Sequence, residues 1–224
     1  MAFIELTNIR KGYPDGNKRF NHILKEVNLS IKKEEFVAIK GSSGAGKTTL
    51  LSILGTLLRP DAGNYLLDGQ NMIDPHADYA AIRNKWIGFV FQDHRLLPQF
   101  TALENILLPL LAYQPQADAE TIEYARQLMA LTHISGVEAQ YPHTLSGGEA
   151  SRVAVCRALV LKPILLLADE PTGQLDAENA KNVAKLLADL NQSLHTTIVM
   201  VTHSDEVSSV AHRIMTLKDG MILA

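Results

Sequence analysis

The sequence predicts an α/β fold: a mainly parallel sheet core, an N-terminal antiparallel β layer and an inserted helical subdomain. Three observations carry this. Apolar runs rich in Ile, Val, Leu and Phe recur near 3–9, 36–40, 87–91, 164–168, 197–202 and 214–217. Several are apolar at consecutive positions rather than alternate ones, as expected of strands covered on both faces. Helical patterns near 47–57, 119–132, 147–161 and 178–193 fall between or beside them.

Taken in order, the segment up to about Ile39 reads as short strands joined by the polar turn Pro14-Asp15-Gly16-Asn17, hence the antiparallel layer. Residues 96–160 break the strand–helix rhythm. Helical patterns follow one another there, with Pro98, Pro109, Pro115 and Pro142 punctuating them. The expected organisation is one domain over 1–224. Its catalytic α/β core and β layer lie at 1–95 and 161–224, and its helical subdomain at 96–160.

Composition narrows the function classes. The 224 residues are 46% hydrophobic and 20% charged, with net charge −3, which suits an ordinary soluble globular chain. No global basic field for nucleic acid exists. Apolar stretches such as 106–112 and 164–168 fall well short of the roughly 18–20 residues a spanning helix needs. Met1-Ala2-Phe3-Ile4-Glu5 lacks the basic and apolar regions of a secretory signal, and Cys156 has no partner for an internal disulfide.

Gly41-Ser42-Ser43-Gly44-Ala45-Gly46-Lys47-Thr48 fits G-x-x-x-x-G-K-[ST] between the apolar run 36–40 and a helical run opening at Thr49. Glycines let successive backbone N–H groups turn inward around phosphate oxygens, and the helix aims its positive end at them. Lys47 is expected to reach the β- and γ-phosphates and Thr48 to ligate Mg²⁺. A second element, Ile164-Leu165-Leu166-Leu167-Ala168-Asp169-Glu170, ends an apolar strand in two carboxylates. Asp169 suits the Mg²⁺ shell and Glu170 a general base for attack on the γ-phosphate. Adjacent acids at a strand end are common surface features, so this element gains its meaning from the phosphate loop.

Leu145-Ser146-Gly147-Gly148-Glu149 is by itself an S-x-x-E capping box opening a helix. Lying between the two elements above, it also resembles the signature motif of the ATP-binding cassette (ABC) ATPases. That resemblance covers nearly the whole chain and implies a P-loop cassette with a RecA-like core that hydrolyses ATP with Mg²⁺. It implies further roles position by position. The helix N-terminus at 145–149 serves an ATP held by a second subunit. Gln92 is the Q-loop glutamine that contacts Mg²⁺ and the attacking water. Gly173-Gln174-Leu175-Asp176 is the D-loop, with Asp176 reaching across a dimer interface. His203 is the switch histidine, and Tyr13 the aromatic that stacks on adenine. Catalysis is thus expected from Glu170, His203, Gln92 and Lys47, and nucleotide binding from Tyr13 and from Gly41, Ser42, Ser43, Gly44, Ala45, Gly46, Lys47, Thr48 and Thr49.

Phe89-Val90-Phe91-Gln92, Leu96-Leu97-Pro98, Thr101-Ala102-Leu103-Glu104-Asn105 and Ala168-Asp169-Glu170-Pro171-Thr172-Gly173 resemble one group within the family. It contains lipoprotein-releasing (LolD-type), macrolide-exporting (MacB-type) and cell-division (FtsE-type) ATPases. The implied partners are a second copy of the chain, head to tail, and an integral membrane permease, with no nucleic acid. The implied place is the cytoplasmic face of the inner membrane, with residues near 93–112 flanking the permease contact. Ala150 and Ser151 stand where the group has polar residues, Gln174 replaces a common Asn or Ala, and Ser204 follows the switch histidine where Asp is frequent. None removes a group the reaction needs. Rival readings are a regulatory cassette that gates a membrane partner without transport, a non-transport cassette, and a small-molecule kinase. The last is disfavoured by 145–149 and His203.

Overall fold

The computed structural model describes residues 2–14, 20–112 and 114–223. Residues Asp15, Gly16 and Asn17 of the expected N-terminal turn lie outside them. Strand β1 (Ile4–Pro14) pairs antiparallel with β2 (Phe20–Ile31) on one side. On the other it pairs with β4 (Ala62–Leu67), which continues to the short β5 (Gln70–Asn71). In β1, Ile4, Leu6 and Ile9 are buried while Glu5 and Thr7 are exposed, so this sheet has one wet face and one covered face. Strands β1 and β2 run 11 and 12 residues, longer than the short strands expected.

The second sheet holds six strands: β3 (Phe36–Lys40), β6 (Ile87–Val90), β7 (Leu165–Asp169), β8 (Thr197–Thr202), β9 (Arg213–Lys218) and β10 (Met221–Leu223). Their spatial order is β10-β9-β3-β8-β7-β6, with every neighbouring pair parallel except β10 with β9. Both faces of the four strands β3, β8, β7 and β6 are covered, which explains their apolar runs, while β9 and β10 keep exposed positions such as Ile214 and Met221. Val37, Ile39, Leu165, Leu167, Val199 and Val201 face a core shared with the first sheet and helix α1 (Lys47–Leu54). Phe36, Ala38, Leu166, Ala168, Ile198 and Met200 face the opposite core, against α5 (Gly147–Leu159) and α6 (Ala177–Leu194). The Val, Leu, Ile, Phe and Met side chains among these contribute about 1.5–3 kcal/mol each when fully buried.

Helix α1 stops three residues short of the expected end at 57. Gly55 caps it, and Thr56 adopts φ 54°, turning the chain toward β4. Helix α2 (Tyr79–Trp86) leads into β6 and is capped by Asp78, whose carboxylate accepts from the Ala80 and Ala81 N–H groups.

Residues 96–160 hold α3 (Ala102–Leu111), α4 (Ala119–Leu131), two single 3₁₀ turns and α5, with no strand among the described residues. Pro109 corrects its reading as punctuation, because it lies inside α3 rather than ending it. Proline lacks an N–H and so forfeits one helical hydrogen bond. Here it stands in the last turn, and its carbonyl accepts from Asn84 Nδ2 at 2.9 Å. The buried Asn105 fastens the preceding loop: its amide donates to the Leu97, Phe100 and Thr101 carbonyls and accepts from the Leu97 N–H at 2.7 Å. The last strand, β10, runs beside β9 at the sheet edge, and α7 (Asp205–Ser208) follows β8.

Candidate active site

Parallel pairing aligns the carboxyl ends of four neighbouring strands. Lys40 ending β3 pairs with Thr202 ending β8, and Asp169 ending β7 pairs with Val201. The segments leaving those ends therefore meet along one edge of the sheet, where ligands of α/β folds bind. Gly41–Lys47 leaves β3, His203 leaves β8, Glu170 leaves β7 and Gln92 follows β6.

The loop after β3 turns on Gly44 at φ 79° and Gly46 at φ 99°, left-handed conformations that favour glycine. Gly46 also caps α1, and among the described residues no side chain accepts from the first amides of that helix. Helices α2 to α6 all have a side-chain cap, from Asp78, Thr101, Asp118, Ser146 and Asp176. Helix α1 thus keeps its N-terminal amides and its dipole directed at the adjoining space.

That space is a cavity of about 370 Å³ lined by Ile23, Ser43, Gly44, Gly46, Lys47, Thr48, Thr49, Gln92, Asp169 and Glu170. Lys47 is 8% exposed, and its ammonium donates to the Gly41 and Ser42 carbonyls at 2.8 and 3.2 Å. It also lies 3.5 Å from Glu170 Oε1. A buried cation needs such partners to offset lost hydration. The Thr48 hydroxyl stands 3.4 Å from Asp169 Oδ1. Burial raises the Asp169 carboxyl above its usual range, the Thr48 hydrogen bond opposes this, and the Glu170 charge adds to it. Glu170 itself adopts φ 46°, with its N–H donating to the Val201 carbonyl at 3.0 Å. Its Oε2 lies 2.9 Å from Nδ1 of His203. The Gln92 side chain lies against Gly173: a Cβ there would fall 2.9 Å from Gln92 Nε2.

Residues 145–149 stand apart from this cavity, and none of them lines it. Ser146 caps α5 with a reciprocal box. Its hydroxyl accepts from the Glu149 N–H at 3.3 Å, while Glu149 Oε2 accepts from the Ser146 N–H at 2.8 Å and from its hydroxyl at 2.7 Å. These bonds, the hydroxyl's first, hold the Glu149 carboxyl below its usual range. Gly147 and Gly148 face Leu175 and Asn179, so this helix start adjoins the segment leading into α6. Leu145 packs partly against the core under α5 and α6. Asp176 caps α6 by accepting from the Asn179 N–H at 3.0 Å, which lowers its carboxyl. Tyr13, at the end of β1, is 43% exposed with the Lys11 ammonium 5.5 Å from its ring centre, and it does not line the cavity.

A family model described as ABC transporter matches residues 24–173. The chain belongs to the ABC transporter family. It is 43% identical to the lipoprotein-releasing system ATP-binding protein LolD of Geobacter metallireducens, over all of this chain and 99% of that protein. It is 42% identical to the macrolide export ATP-binding/permease protein MacB of Syntrophobacter fumaroxidans, over 99% of this chain but 31% of that protein. Among solved structures, the dimeric bacterial ABC transporter cassette MJ0796 superposes with TM-score 0.88 at 40% identity, covering 99% of this chain and 97% of that one. A post-hydrolysis dimer of MJ0796 bound to ADP and Pi matches at TM-score 0.88 and 39% identity, with the same coverage. The chain is therefore an ABC cassette, the ATP-hydrolysing component of a transporter.

Two features of this cassette escaped the sequence. Ile23 of β2 supplies an apolar wall of the cavity, and nothing local marks it among neighbouring strand residues. Arg157 of α5 holds the backbone that follows Gln92. Its one sequence signal is an arginine set within the buried stretch 153–160 of that helix. Among the described residues, no helix is long and apolar enough to cross a membrane.

Proposed function

We propose that this cassette works as a head-to-tail pair of copies whose ATP cycle drives a membrane permease of the extracting or exporting kind, at the cytoplasmic face of the membrane. One observation carries the reading. The uncapped start of α1, Lys47, Thr48, Asp169, Glu170 and Gln92 line a single cavity, while the 145–149 helix start lies outside it. One chain then offers half of each site, and a C₂ pair completes two. The names LolD and MacB and the MJ0796 dimer support the same reading. So does a groove of about 510 Å³ walled by Leu57, Phe89, Phe91, Arg95 and Pro109, beside the residues expected to meet the permease. Residues 96–160 act in this reading as the helical unit that presents the signature.

The α1 amides and Lys47 hold the β- and γ-phosphates and stabilise the charge that spreads over the γ-oxygens. Water attacks the γ-phosphorus while the bond to the bridging oxygen breaks and ADP leaves; Glu170 accepts the water's proton. His203 and Gln92 orient that water, and Tyr13 meets the adenine. In the facing copy, Leu145 to Glu149 present a helix start to the γ-phosphate, and Asp176 reaches across the interface.

The oxygen donors of Thr48, Asp169 and Gln92 fit Mg²⁺, a hard ion that takes the rest of its shell from phosphate and water. Bound there, Mg²⁺ would neutralise charge on the phosphates.

Glu170→Gln tests the reading. It keeps the hydrogen-bonding shape and removes the base, so phosphate release should fall by about 10²–10⁴ while ATP binding persists and dimers accumulate on a sizing column. Parental turnover would refute the base assignment. A monomer at saturating ATP would refute the paired site. Affinity capture of the same variant from membranes should retain an integral membrane protein.

A further inference from the structure

Arg157 lies in the last turn of α5, and its guanidinium reaches the segment that follows β6. One Nη donates to the Arg95 carbonyl at 2.7 Å and the other to the His94 carbonyl. Both acceptor residues have left-handed backbones, φ 55° at His94 and 49° at Arg95. That conformation is sterically unfavourable for any residue bearing a Cβ, and two in succession persist only where the surroundings over-determine them. The turn is closed by the His94 N–H on the Phe91 carbonyl at 3.1 Å and the Arg95 N–H on the Asp93 carbonyl at 2.6 Å.

Packing does not account for an arginine here. Burial lowers the guanidinium's affinity for its proton, and the adjacent Arg95 charge lowers it further. Among the described residues no carboxylate comes within ion-pair distance of Arg157. The nearby Asp93 is taken by Arg95 Nε at 3.1 Å. A desolvated cation whose two bonds both go to strained carbonyls is directed at that turn. Gln92 precedes the turn by two residues and lines the cavity. Ser146 caps the same α5 eleven residues earlier, about 16 Å away along a rigid helix.

We propose that Arg157 is a positioning residue. It clamps the His94–Arg95 turn, holds Gln92 at the cavity, and makes the turn move as one body with the signature end of α5. This rests on the assignment of Gln92 to the ATPase reaction, so the test has one arm independent of that assignment.

Arg157→Met keeps the stem and removes the donors, whereas Arg157→Lys keeps a cation with at most a single-point contact. In the full chain, amide exchange at residues 93–96 should speed up about tenfold in Arg157→Met and by less in Arg157→Lys, with exchange in β7 and β8 unchanged. Equal exchange in the parent and Arg157→Met would overturn the clamp. Arg157→Met should lower kcat about tenfold with KM for ATP within about twofold, and Arg157→Lys should recover part of that loss. In a Gln92→Ala background, Arg157→Met should add less than about twofold. A full tenfold loss there would overturn action through Gln92. Should Gln92→Ala alone keep the parental kcat, the Gln92 assignment falls, and the exchange arm still decides the clamp. If Arg157→Met fails to fold, faster exchange in Arg157→Lys supports the clamp and parental exchange overturns it.

Discussion

His203 Nδ1 lies 2.9 Å from Glu170 Oε2, and the His203 backbone N–H donates to the same oxygen at 3.3 Å. The contact depends on the left-handed turn at Glu170, which swings its carboxylate back toward the strand that delivers His203. An ionised carboxylate only accepts, so a hydrogen bond between this pair requires the hydrogen on Nδ1. The two residues are 33 positions apart and meet because β7 and β8 are parallel neighbours.

His203→Ala is expected to lower kcat by about 10²-fold with little change in unfolding temperature, because the ring is 69% exposed and buries little surface. Steady-state phosphate release and a thermal melt check both halves. Parental kcat would show that the contact is structural.

Two substitutions at Ser146 separate its cap from its proposed role in trans. Ser146→Ala removes the cap of α5 and should cost about 1 kcal/mol of stability, read from a urea midpoint. Ser146→Arg places a large cation at the proposed interface. It should abolish turnover while ATP binding to the monomer stays near the parental affinity; unchanged hydrolysis would refute the role in trans.

Gly88 sits where β6 crosses α5, and an added Cβ would lie 2.2 Å from the Ala158 carbonyl oxygen. Neither strand nor helix backbone can yield cheaply at that contact. Gly88→Ala should therefore cost about 2 kcal/mol or more. Gly136, with nothing within 4 Å of its would-be Cβ, is the control, and Gly136→Ala should stay within about 0.5 kcal/mol.

His94 gives stability a pH dependence. His94 is 8% exposed, its Nδ1 has no hydrogen-bond partner among the described residues, and burial lowers its pKa from 6.5, with Arg157 lowering it further against the Asp93 charge. Well above pH 6.5 the ring is neutral folded or unfolded. Below that the unfolded chain binds the proton more readily, so stability falls as pH drops and levels off below the folded pKa. The slope cannot exceed about 1.36 kcal/mol per pH unit for one proton. The lowered carboxyls of Glu149, Asp118 and Asp176 lose their contribution only near pH 4 and below, so the two windows separate. His94→Phe should flatten the slope between pH 7 and 5. An unchanged slope there would refute the assignment.

The α/β class was legible because strands dry on both faces are apolar at successive positions, and 36–39 and 198–201 obey that rule. The strand at 62–67 was not, since Ala62, Gly63 and Asn64 carry little β preference and the segment is held by pairing with β1. Pro109 misled because a proline near a helix end costs too little to stop the helix, and α3 is anchored by its capping box and by Asn105. Tyr13 was placed by resemblance alone, and whether it lines the cavity depends on the course of β1, which no local pattern encodes.

By itself the sequence determined what short-range chemistry can specify. It set glycines where the loop after β3 needs positive φ, a lysine and a threonine at the first helical positions, two acids at a strand end, and an S-x-x-E box opening a helix. Tertiary structure alone decided that 41–48, 92, 169–170 and 203 share one edge, that Glu170 turns back to His203, and that Arg157 grips the turn beyond Gln92. Those relationships join segments tens to more than a hundred residues apart. Their strand order is selected by burying both faces of a parallel sheet at once, a property of the whole core that no local window contains.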